Sequence, residues 1–162
     1  MKSNKLKYSS KIEMLKYNIS RYDSDYLGVN FKSSFLVIGN ITILGFLISY
    51  FTKINMQFFY ISLFITTCSL FFTLLAIKPY LKSNSNKNSL IFFNDVANVK
   101  YDILCNKLNN LSKEQYINDL IEQMYVLSKG LQIKFKYLNI STTLFMINCV
   151  LLFIYVLFIL VK

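Results

Sequence analysis

The chain of 162 residues has no histidine and no tryptophan, one proline, four glycines and three cysteines, and its eight acidic residues face eighteen basic ones. Without histidine, imidazole acid–base chemistry and the Ser-His-Asp type of triad are excluded. The glycines, Gly28, Gly39, Gly45 and Gly130, fall into no phosphate-binding loop pattern. Cys68, Cys105 and Cys149 have no metal-ligand spacing, so neither a zinc site nor a disulfide framework is indicated. Isolated cysteines of this kind behave as small hydrophobes. No catalytic residue, metal or cofactor is expected, and the chain does not read as an enzyme. No nucleic-acid recognition motif is present, so no nucleic-acid polymer is expected as a partner. The Lys-, Asn- and Ile-rich usage points to an AT-rich bacterial genome.

Charge is missing altogether from three apolar runs, Phe35–Phe51, Phe58–Ile77 and Leu144–Val161, which are 17, 20 and 18 residues long. A helix rises about 1.5 Å per residue and needs roughly 17–25 apolar residues to cross a hydrocarbon core of about 30 Å. The fold class read from this is an all-α integral membrane protein with three transmembrane helices and the lipid bilayer as its first partner. Thirty-four residues precede the first run and no small-residue cleavage site follows it, so it reads as a span and not as a signal peptide.

Basic residues near span ends favour the cytoplasm. Residues 1–34 hold seven and residues 78–143 hold nine, whereas the loop 52–57 holds only Lys53 and the chain after the third run only Lys162. The N-terminus and 78–143 are therefore expected in the cytoplasm of a bacterial inner membrane, with 52–57 and the C-terminus external. The organisation is a cytoplasmic N-terminal segment 1–34, a transmembrane hairpin 35–77, a cytoplasmic helical region 78–143 and a third span 144–161. The two cytoplasmic segments carry a net charge of +8, suited to anionic lipid heads or an anionic ligand.

Ile12, Leu15, Ile19, Tyr22, Tyr26 and Val29 recur at steps of three and four, which puts them on one helical stripe. Such a stripe is buried on other cytoplasmic helices, on a second copy or on lipid. Lys78-Pro79 should end the second span, and a polar loop, 81–89, follows. Asp95 opens a helix expected over Val96–Leu108, with Val99, Ile103 and Leu108 turned inward. Ser112 and Gln115 form a capping box, and the helix they begin carries the stripe Tyr116, Leu120, Met124, Leu127 and Leu131. Either this last cytoplasmic helix is continuous with the third span, or it breaks near Asn139–Thr143. Within the runs, Asn40, Ser69 and Asn148 come to comparable depth, with Thr66 nearby. They read as a polar layer that glues the helices together. Its functional alternative is a gate or pore lining.

The order of several short motifs resembles a known group. These are Ile19-Ser20-Arg21-Tyr22-Asp23, then Asn30-Phe31-Lys32-Ser33-Ser34 before span one, Lys78-Pro79 after span two, Asn88 to Asp95 (NSLIFFND), Tyr116 through Ser128, and Lys136-Tyr137 before span three. In these features the chain resembles, over about residues 12–160, the Pycsar effector family of small transmembrane antiphage effectors, related in role to the membrane effectors of CBASS. The resemblance implies that a phage-activated cognate cyclase makes a cyclic mononucleotide, cyclic CMP or cyclic UMP. The effector, expected as a homo-oligomer, senses it, its spans rearrange or assemble, and the inner membrane is impaired, which aborts infection. A cyclic mononucleotide needs a cation for its phosphate, a polar edge reader and an aromatic wall. Arg21, Lys32, Asn94 and Asp95, with Tyr22 or Phe93 as wall, are the candidates. The ordinary alternatives are a salt-bridged helix face for Arg21–Asp23, a snorkelling anchor for Lys32 and an interfacial anchor for Phe92-Phe93. Two other functions fit the residues: a membrane anchor or scaffold subunit, and a holin-like protein that permeabilises membranes without any ligand.

Overall fold

The computed structural model describes residues 2–52, 54–79 and 89–161, with side chains from Tyr8 onward. The loop expected over 81–89 lies outside the described residues except for Ser89. Among the described residues five helices follow in order: α1 (Lys2–Ser49), α2 (Met56–Ile77), α3 (Phe93–Ala97), α4 (Tyr101–Asn109) and α5 (Lys113–Val161). No strand occurs among the described residues. α1, α2 and α5 are each long and apolar enough to cross a membrane, and the chain is a membrane protein.

The chain divides into two compact units, Met1–Tyr26 with Pro79–Leu131, and Leu27–Lys78 with Gln132–Lys162. The first unit is built on the expected stripes. Leu15 of α1 and Ile117 and Leu120 of α5 form its buried centre, with Ile12, Ile19, Tyr116 and Met124 packed around them. Leu15, Ile117 and Leu120 each contribute about 1.5–3 kcal/mol on burial. The Tyr26 hydroxyl donates to the Leu127 carbonyl at 3.2 Å. At the start of α5 the capping box closes as expected: the Gln115 amide donates to Ser112 Oγ (3.2 Å), and the Ser112 amide donates to Gln115 Oε1 (3.0 Å).

The helix expected over Val96–Leu108 is two helices, α3 and α4, separated at Asn98–Lys100. Asn98 is the reason. Its side chain donates to the Asn94 carbonyl at 2.7 Å, and its amide turns back to the Asp95 and Val96 carbonyls, a local competition with helix propagation typical of asparagine. The break rotates the following face. Ile103 and Leu108 stand exposed, at 48% and 49%, and Leu104 and Cys105 are half-buried instead.

In the second unit α1 and α2 form a hairpin. Asn55 caps α2, its side chain accepting from the Gln57 amide at 2.9 Å. α2 stops at Ile77, one residue before Lys78-Pro79, where proline removes the next donor. Ile43, Leu47, Ile54 and Phe59 make an apolar cluster joined by Phe145, Leu152 and Tyr155 of α5. Gly39 lets the helices approach closely there: a Cβ on it would lie 2.8 Å from the Phe145 ring, which would have to shift. The outward residues, such as Ile38, Phe64, Phe71 and Phe153, are 58–70% exposed and apolar, a surface matched to lipid.

Candidate functional site

The centre of the membrane unit is polar. The face of α2 turned inward reads Phe59, Ser62, Thr66, Ser69, Thr73 and Ala76, at steps of three and four that hold it on one stripe. All four hydroxyl residues are fully buried, as are Asn40, Ser141 and Asn148. Asn40 Nδ2 donates to Ser69 Oγ at 3.1 Å and to the Leu36 carbonyl at 2.8 Å. Ser141 Oγ donates to the Ser69 carbonyl at 2.9 Å and also meets Thr73 Oγ1. One level along, Ser62 Oγ donates to Asn148 Oδ1 at 2.8 Å, while Asn148 Nδ2 donates to Thr66 Oγ1 at 2.6 Å.

Of the three residues expected in one layer, the structure joins Asn40 and Ser69 and sets Asn148 apart. Asn148 belongs to the Ser62–Thr66 level, three to seven residues from Ser69 or about 5–10 Å along α2. The antiparallel register explains the difference: Ser62 meets Asn148, Ser69 meets Ser141, and Ala76 meets Lys134. Segment 134–148 of α5 thus lies beside α2.

Lys134 escaped the sequence reading as a site residue. It is only 4% exposed. Its Nζ donates to the Ala76 carbonyl at 2.6 Å, the Ile77 carbonyl at 3.1 Å and Asn30 Oδ1 at 3.4 Å. A cation is thereby placed on the last carbonyls of α2, at the negative end of its dipole. Two buried oxygens, Asn40 Oδ1 and Ser33 Oγ, accept or donate no hydrogen bond.

The candidate ligand residues divide between the two units. Arg21 and Tyr22 lie on α1 in the first, with the Arg21 guanidinium 5.6 Å from the Tyr22 ring centre. Phe93, Asn94 and Asp95 lie in α3 of the same unit, and Lys32 is an exposed residue of the second. Phe93 and Asn94 are exposed, whereas Asp95 is engaged: its Oδ2 accepts from the Ser89 amide at 3.0 Å. The sequence reading also missed Asp119 of α5. It accepts from Ser89 Oγ at 2.6 Å and from the Leu90 amide at 2.8 Å, while Ser89 Oγ accepts from the amides of Ile91 and Phe92. Two carboxylates therefore shape the Ser89–Phe92 turn that presents Phe93 and Asn94.

The Pycsar effector protein domain matches residues 14–161. No curated protein and no solved structure matches the chain. With nearly its whole length matched, the chain belongs to the Pycsar effector family, and it is a transmembrane effector of cyclic-nucleotide antiphage defence.

Proposed function

We propose that this Pycsar effector binds a cyclic mononucleotide on its first unit and in response impairs the bacterial inner membrane through its second. The family match over residues 14–161 is the observation that carries the reading. The division of the chain supports it, because one unit is built on amphipathic stripes and the other on lipid-facing apolar helices around a polar centre. α1 and α5 each contribute residues to both units, so a change in the first has two covalent routes into the second. The N-terminus and residues 79–131 are cytoplasmic in this reading, on the strength of the lysine distribution, which gives the first unit access to a soluble ligand, while residues 132–143 go with the membrane unit.

The phosphate contact falls to Arg21, whose guanidinium forms a fork suited to phosphate oxygens. Tyr22 and Phe93 offer ring faces, and Asn94 offers an edge reader. Asp95 holds the turn. Lys32 acts as an anchor at the membrane surface. Calorimetric titration of the purified protein with cyclic CMP and cyclic UMP tests the reading. Binding that Arg21→Ala weakens and Lys32→Ala leaves intact is expected. No binding of either nucleotide by the intact protein would remove it.

A further inference from the structure

We infer that the buried polar face of α2 lines a water-filled path when the effector is activated, and that this path prefers small anions because Lys134 stands at one mouth. The inference rests on the reading above of a ligand-triggered, membrane-impairing effector.

The face runs from Ser62 to Ala76, about 21 Å along the helix against a hydrocarbon core of about 30 Å. Over that length every inward residue is Ser, Thr or Ala, while Phe64 and Phe71 point outward at 70% and 58% exposure. A column of hydroxyls this long has two features that simple helix glue does not need. First, Thr66 and Thr73 donate to carbonyls of their own helix, those of Ser62 at 2.8 Å and Ser69 at 2.9 Å. These donors stay satisfied when neighbouring helices part, so the face loses little on meeting water. Second, Asn40 is directed into the column by its bond to Ser69, yet its Oδ1 is buried without a donor. An unmet acceptor of this kind is costly in a bilayer interior, and entry of water relieves it.

Charge sets the selectivity. Segments 27–78 and 132–162 contain no Asp or Glu, so no carboxylate along the column attracts cations. Lys134 lies at the Ala76 end, bonded to the carbonyls of Ala76 and Ile77. Neutral hydroxyls with a lysine at the mouth favour anions such as chloride over potassium.

The test uses the full-length protein in vesicles of phosphatidylethanolamine and phosphatidylglycerol, with Cys68, Cys105 and Cys149 replaced by alanine. Single cysteines are introduced as Thr66→Cys and Ser69→Cys on the column, and as Phe64→Cys and Phe71→Cys toward lipid. A water-borne charged thiosulfonate then reports hydration before and after addition of cyclic CMP or cyclic UMP. The column cysteines should react at least about tenfold faster after activation, since only a hydrated thiolate reacts, and the lipid-facing pair should not change. Under a chloride gradient the reversal potential should move toward that of chloride, and Lys134→Gln should return it toward zero while Ser69→Cys remains reactive. Nucleotide-triggered leak with an unreactive column, or with a preference for potassium, would overturn the inference and leave the effector reading standing. Absence of any triggered leak, with the column still unreactive, would overturn both.

Discussion

Lys134→Met removes the ammonium from the end of α2 and keeps a side chain of similar length. In the native protein that ammonium serves two carbonyls and Asn30 Oδ1. The Ala76 carbonyl is the important one, because Ala76 is fully buried and water reaches it only if the helices separate. Leaving a buried acceptor unmet costs about 1–3 kcal/mol. The favourable placement of a cation at a helix C-terminus adds up to about 2 kcal/mol. Opposing both is the desolvation of the ammonium, several kcal/mol in a buried site, which methionine does not incur. The half-buried Ile77 carbonyl can rehydrate and adds little. With the shortest contact at 2.6 Å and the ammonium solvated by three acceptors, the retained interactions, together at most about 5 kcal/mol, should exceed a desolvation of about 3 kcal/mol by up to about 2 kcal/mol. Steric-trap unfolding in bicelles measures this directly. A Lys134→Met protein as stable as the native one, or more stable, would show that desolvation dominates and would refute the argument.

Other substitutions probe independent parts of the fold. Gly39→Ala should destabilise by about 1–3 kcal/mol through overpacking against Phe145. Gly45→Ala meets nothing within 4 Å and should stabilise by up to about 1 kcal/mol; thermal denaturation of the two in parallel checks the contrast. A double-mutant cycle on Ser62→Ala and Asn148→Ala should return a coupling of about 0.6–1.7 kcal/mol, whereas a cycle on Asn40→Ala and Asn148→Ala, which share no hydrogen bond, should return about zero. Asp119→Ala frees the Ser89 hydroxyl and the Leu90 amide; hydrogen exchange should show faster exchange at Leu90 and unchanged protection at Ile117 to Leu120.

Much of this architecture was legible because it follows from short-range periodicity. The α1 stripe from Ile12 to Val29, the Ser112 capping box and the stop at Lys78-Pro79 all depend on residues within a turn or two of one another. The break at Asn98 was less visible, since it depends on whether a side-chain amide or the helix wins the Asn94 carbonyl. Lys134 could have been found. It continues the stripe Leu127, Leu131, Lys134, Leu138, Ser141, Phe145 and Asn148 at steps of three and four, and a lysine on a buried stripe demands acceptors. Counted only as one of nine basic residues on the cytoplasmic side, it lost that signal. The level of Asn148 was legible only in part: Thr66, grouped with it by depth, is its partner, whereas Ser69 is not. Depth counted from the end of an apolar run gives no lateral register, which here is set by hydrogen bonds between residues 68 to 86 positions apart. The role of Asp119 was hidden for the same reason, being defined by a turn 29 and 30 residues away.

In the proposed function a cyclic mononucleotide switches this effector from a sealed to a leaky state. Reconstituting the full-length protein in vesicles loaded with a potential-sensitive dye, and adding cyclic CMP or cyclic UMP to the face that carries residues 79–131, is the test. The account predicts a stable potential without nucleotide, rapid collapse with one of the two, and no collapse for Arg21→Ala. Collapse that is already complete before any nucleotide is added, or a potential that survives both, would contradict it.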